Sequence, residues 1–75
     1  MTPAWSRSRN GGWHWRLDQG RVLEVIPKST GWCIRFMERS DIVKMSWPWE
    51  YSYEAKARAE SMAVELGWLS EVPRR

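Results

Sequence analysis

Three short runs built on alternation, "WHWRL", "RVLEVI" and "GWCIRFM", are separated by the turn-forming stretches "DQG" and "PKST". They constrain this chain more than any other feature. In an extended strand successive side chains point to opposite faces, so both connections must preserve one apolar face if the runs are to bury anything together. A three-residue loop, Asp18-Gln19-Gly20 with Gly20 left-handed, sets Leu17 opposite Arg21, Trp15 opposite Leu23 and Trp13 opposite Val25. A four-residue loop from Pro27 to Thr30, with Pro27 presetting the turn, sets Val25 opposite Trp32, Leu23 opposite Ile34 and Arg21 opposite Phe36. The two loops agree on one face, made of Trp13, Trp15, Leu17, Leu23, Val25, Trp32, Ile34 and Phe36. His14, Arg16, Val22, Glu24, Ile26, Cys33, Arg35 and Met37 take the other. The pattern predicts an antiparallel meander. "ERSD" then turns the chain into "IVKMSW", a further edge strand whose pairing should end at Pro48, which has no amide hydrogen to give.

The stretch "YSYEAKARAESMAVELGWL" has the helical period. Ser52 is a suitable N-cap, and Glu54 in the first turn suits the positive end of the helix dipole. Ala55, Ala59, Met62, Ala63 and Leu66 form the stripe expected to be buried, and Gly67 is placed to end the helix left-handed, with Trp68 or Leu69 folding back. The fold class is therefore α+β: an antiparallel sheet of three to four strands with one C-terminal helix on one face. A stripe made mostly of alanine lets the helix approach closely and leaves volume that bulky rings must fill. Trp13, Trp15 and Trp32 are assigned to that core. Trp47 and Trp49 are expected to wrap the helix start, with Tyr51 or Tyr53 as a staple beside the cap. One helix cannot cover seven indoles, so one or two should stay partly exposed, with Trp5 the leading candidate.

Composition narrows the classes of function. A chain of 75 residues makes one small domain, read as a flexible basic arm over 1–12, a folded body over 13–69 and a tail over 70–75. A single cysteine and a single histidine exclude an internal disulfide and any CxxC or HxxxH ligand pair, which points to a reducing cytoplasm, that of a bacterial cell. No apolar run of signal-peptide or membrane-span length occurs, so no membrane partner is expected. The formal charge is +3, yet residues 10 to 73 hold eight basic and nine acidic side chains, a net of −1. A compact nucleic-acid binder usually carries its basic excess on the folded body.

The predicted register sets His14 beside Glu24 and Glu24 beside Cys33 in one row across three strands. A thiol nucleophile needs the imidazole adjacent, whereas here two strand spacings, about 10 Å, would separate them. The same span is poor for tetrahedral zinc. The row reads as an ordinary polar sheet face, so no catalytic residue, metal or cofactor is assigned. Lys56 and Glu60 form an i,i+4 pair on the side of the helix read as solvated. "STG" and "NGG" are turns, since neither opens a helix after a strand as a phosphate loop must.

The open face is the informative one. Val22, Ile26 and Met37 sit among His14, Arg16, Glu24 and Arg35, where a sheet facing water should be polar. Apolar side chains mixed with arginine are what interaction surfaces favour. These seven residues are the expected partner-binding set.

"GWCIRF", a following strand, and "YEAKARAESMAVELGW" resemble the small three-stranded-sheet-plus-helix modules of phage genes. One branch is the arm-type, AP2-like DNA-binding domain of phage integrases. The resemblance covers residues 13 to 69. It implies that strand residues facing away from the helix contact DNA; Arg16 and Arg35 occupy matching places, as do Arg21 and Lys28 near the turns. Two functions follow, neither enzymatic. One is a protein-binding module that inhibits a host enzyme or defence complex in the manner of anti-CRISPR proteins, for which tryptophan, tyrosine and arginine are the usual hot-spot residues. The other is an accessory or regulatory factor on double-stranded DNA, with Arg7, Arg9, Arg21 and Lys28 holding phosphates. The charge count favours the first. A homodimer through sheet edges or the open face is compatible with either.

Overall fold

The computed structural model describes residues 4–73. Five strands run in chain order, β1 (Ser6–Arg7), β2 (Trp13–Arg16), β3 (Arg21–Lys28), β4 (Gly31–Glu38) and β5 (Asp41–Trp49), followed by one helix, α1 (Ser52–Glu65). Each strand pairs antiparallel with the next, giving a meander in the order β1-β2-β3-β4-β5. The class is α+β, with the C-terminal helix on one face. The strand count is five rather than three to four, because residues assigned to a free arm supply β1.

That segment is built into the fold. Ser6 pairs with His14 and Arg7 with Trp13. Trp5 is 8% exposed, packs edge-on against Trp15 with centroids 5.8 Å apart, and donates from Nε1 to Glu60 Oε2 at 2.9 Å. Trp5 is thus core, not the exposed indole expected. Glu60 is buried at 1% exposure, not on a solvated helix side. The two departures have one cause: a carboxylate between helix and sheet needs a donor, and the Trp5 indole brings it one. Trp13 carries the Arg7 guanidinium at 4.5 Å and the Lys56 ammonium at 3.8 Å from its ring centroid. Residues 1–3 of the arm and 74–75 of the tail lie outside the described residues.

The first loop is as expected, with Leu17 N–H donating to the Arg21 carbonyl at 2.8 Å and Gly20 left-handed at φ 72°. The second is shorter than expected. Lys28 pairs with Gly31, leaving only Ser29 and Thr30 as the turn, and Pro27 lies inside β3 opposite Trp32. Proline is tolerated there because β2 ends at the Trp13–Val25 pair. Beyond it Gly12 gives the ring room: a Cβ on Gly12 would come within 3.0 Å of Pro27 Cδ. The register therefore shifts by two, so Val25 faces Ile34, Leu23 faces Phe36 and Arg21 faces Glu38. A shift of two preserves the faces. All eight residues assigned to the apolar face are in the core or packed against it.

The helix begins one residue earlier than expected. Tyr51 is the N-cap, without a side-chain cap bond, and Ser52 is already helical. Ala55, Ala59, Met62 and Ala63 are buried as predicted, whereas Leu66 is 41% exposed. At the C-terminus Trp68 N–H donates to the Ala63 carbonyl at 2.8 Å and Gly67 N–H to the Val64 carbonyl at 3.0 Å, with Gly67 at φ 79°. This paired bonding is a Schellman closure. It returns Trp68 onto Phe36, centroids 5.3 Å apart, while the Arg21 guanidinium caps the Trp68 ring at 5.0 Å.

Candidate functional site

The sheet face away from α1 is organised in rows that the strand pairing defines. One row runs Ser6, His14, Glu24, Arg35, Met45 across all five strands. The next runs Arg16, Val22, Met37, Ile42 across β2 to β5. Cys33 does not stand beside Glu24 as predicted. The two-residue turn moves it opposite Ile26, and Arg35 takes its place.

That exchange decides the electrostatics. Arg35 Nε donates to Glu24 Oε1 at 2.7 Å, with both side chains about seven-tenths buried. The guanidinium at the centre of the face is therefore already matched. Arg21 is matched as well, its Nε 2.8 Å from Glu38 Oε2 beside Trp68. Arg7 lies over Trp13. Of the arginines and lysine proposed for anion contact, Arg9, Arg16 and Lys28 stay exposed and make no ion pair among the described residues. His14 is half-buried, with Nδ1 2.8 Å from Ser8 Oγ. Ile26 and Cys33 are buried, so Ile26 adds little accessible surface to the face.

β5 brings what the sequence reading left out. Ile42, Val43 and Met45 are each just over half exposed, and the pairing sets Ile42 beside Met37 and Met45 beside Arg35 on the open side. The apolar area is thus the row Val22–Met37–Ile42 plus Met45, continued along the edge by Val43 and Trp47. The signal was present in "DIVKM", where aliphatic residues stand in a strand reached from only one side. Pairing does not end at Pro48. β5 is irregular there and resumes at Trp49, which faces Trp32. A second irregularity lies at Val43, between the Met37–Ile42 and Phe36–Lys44 pairs. Bulges, a central Lys44 and Pro48 are the devices by which edge strands avoid adding another strand. The edge is blunted while the side chains on the face are not.

The four rings of "SWPWEYSY", residues 46–53, have different surroundings. Trp49 packs on the core with Nε1 bonded to Ser46 Oγ at 3.1 Å, and Trp47 is 54% exposed. Tyr51 and Tyr53 stack on each other at 5.4 Å, both exposed, rather than stapling the cap.

At the end formed by the β2–β3 and β4–β5 turns the open face dips into a concavity of about 640 Å³, reached by Arg16, Arg39 and Ser40. Among the described residues no group of three His, Cys, Asp or Glu side chains gathers that could hold a metal ion. No helix there is long and apolar enough to cross a membrane. Comparison of the chain with protein-family models, with curated proteins and with solved structures returns no match.

Proposed function

We propose that this chain is a non-enzymatic binding module that recognises another protein through its open sheet face, in the manner of small phage proteins that inhibit a host enzyme or defence complex. One observation carries the reading: the row Val22–Met37–Ile42 with Met45 lies on the sheet face away from α1, with Ile42 and Met45 each over half exposed, around an arginine whose charge Glu24 already meets. Folding gains nothing from leaving such side chains in water, whereas the centre of a protein interface is apolar with few unmatched charges.

A photo-crosslinking residue at position 45, and separately at exposed Arg58 on the helix, tests this in the source cell. The expected result is a discrete protein adduct from position 45, lost on Ile42→Asp, and none from position 58. Adducts from 58 alone, or equal adducts from both, would remove the open face as the recognition surface.

The second reading is a factor on double-stranded DNA. Exposed Arg16 and Lys28 on β2 and β3 favour it, because neither has an ion-pair partner among the described residues. Its cost is that Arg35 would have to leave Glu24 to read a base edge.

A further inference from the structure

We propose that the concavity at the turn end of the open face receives a carboxylate, supplied by an Asp or Glu side chain of the partner protein that has apolar residues beside it. The proposal rests on the open face being the protein-binding surface and names the chemistry of what docks there.

Four observations carry it. First, the cations at the concavity divide into spent and unspent. Arg21 is held by Glu38, and the lining carboxylate of Glu24 is held by Arg35; Arg16 and Arg39 make no ion pair among the described residues. Two guanidinium groups without a counter-charge on one hollow are an anion site by charge. Second, the hollow has apolar walls, Val22 and Met37, which continue into Ile42 and Met45. An isolated charge followed by aliphatic side chains fits that sequence of surfaces. A polyanion does not, since its next charges would meet Met37 and Ile42.

Third, the turn that presents Arg39 has not taken its easiest sequence. Arg39 and Ser40 sit at φ 52° and 73°, the two left-handed positions of a two-residue hairpin turn where Asn-Gly is the favoured pair. Residues kept in a poorly tolerated conformation point to a task for their side chains. Fourth, the turn is clamped. Arg39 N–H donates to the Gly20 carbonyl at 2.9 Å, and a Cβ on Gly20 would come within 3.3 Å of Arg39 Cγ, so the two hairpin tips hold each other and the backbone and stem of Arg39 are in place before anything binds.

Nitrogen-resolved NMR of the full chain tests this, titrating the blocked peptide acetyl-Leu-Asp-Leu-Leu-amide, its Asn counterpart and a short DNA duplex, each peptide to about 10 mM because a single contact of this kind binds at millimolar strength. The Asp peptide should shift the Nε–H signals of Arg16 and Arg39 and the amides of Gly20 and Ser40. The Asn peptide, and the Asp peptide with Arg39→Gln, should bind roughly three- to tenfold more weakly. A variant carrying both Arg39→Asn and Ser40→Gly has the favoured turn; it should melt at a higher temperature than wild type and lose the same factor in binding. Equal binding of the Asp and Asn peptides with shifts at Ile42 and Met45 overturns the carboxylate site while leaving the protein-binding face standing. Undiminished binding by the double variant overturns the role of Arg39. Shifts produced by the duplex and by neither peptide overturn both the site and the face.

Discussion

The two faces of one sheet differ more than their shared strands would suggest. Along β3, Leu23 and Val25 are fully buried beneath α1, while Val22 and Glu24, one residue away on the other side, stay part-exposed. On the covered face every apolar residue has a folding partner: Phe36 meets Trp68, Trp15 meets Trp5, and the alanine stripe meets Leu23, Val25 and Ile34. On the open face Ile42 and Met45 meet water. The hydrophobic effect, about 25 cal/mol per Å² removed from water, accounts for the first set and not for the second. Side chains that contribute little to folding are the ones free to have been chosen for something else.

Substitutions should separate the faces by size of effect. Phe36→Ala should cost about 3–5 kcal/mol, a large share of what a domain of this length can have, and leave much of the chain unfolded in a urea titration. Gly31→Ala should come next. Gly31 has φ 137°, and an added Cβ would collide with the Trp49 carbonyl oxygen, so about 2 kcal/mol or more should be lost in the same titration. Trp5→Phe keeps a ring but removes the indole donor to buried Glu60, and should cost about 1.5–3 kcal/mol. On the open face, Ile42→Asp and Met45→Asp should each change stability by less than about 0.5 kcal/mol, and Ile42→Asp should still remove the position-45 crosslink. A stability loss from Met45→Asp as large as that from Trp5→Phe would erase the distinction between the faces. A similarly small effect belongs to the Glu24–Arg35 pair, whose coupling in a double-mutant cycle should be about 0.2–1 kcal/mol because both ends touch solvent.

Much of the covered face was legible in the sequence because two independent loops gave the same parity, and a register error of two residues leaves parity intact. The same error mattered on the open face, where neighbours in a row carry the chemistry: it put Cys33 beside Glu24 when the neutralising partner was Arg35. Pro27 misled because proline suits a turn and is equally acceptable where the adjoining strand has ended. Trp5 and Ser6–Arg7 were not legible, since a two-residue strand has no period to detect and a contact between residues 5 and 60 leaves no local trace. The exposed side chains of β5 were hidden for another reason: Ile42 and Met45 stand three residues apart, and only the irregularity at Val43 brings both to one face.

The account stands on the open face recognising protein rather than nucleic acid, and a salt-resolved titration with labelled duplex DNA tests that most directly. Fluorescence anisotropy at about 50 and 200 mM salt reads contacts to phosphate, which weaken steeply across that range when several basic groups take part. With Arg21 and Arg35 matched, and with Met37 and Ile42 where a polyanion's next charges would fall, no rise in anisotropy is expected at either salt concentration. A rise at the lower salt that falls away at the higher, and that Arg16→Ala and Arg35→Ala abolish, would contradict the account and make the face a DNA-reading surface.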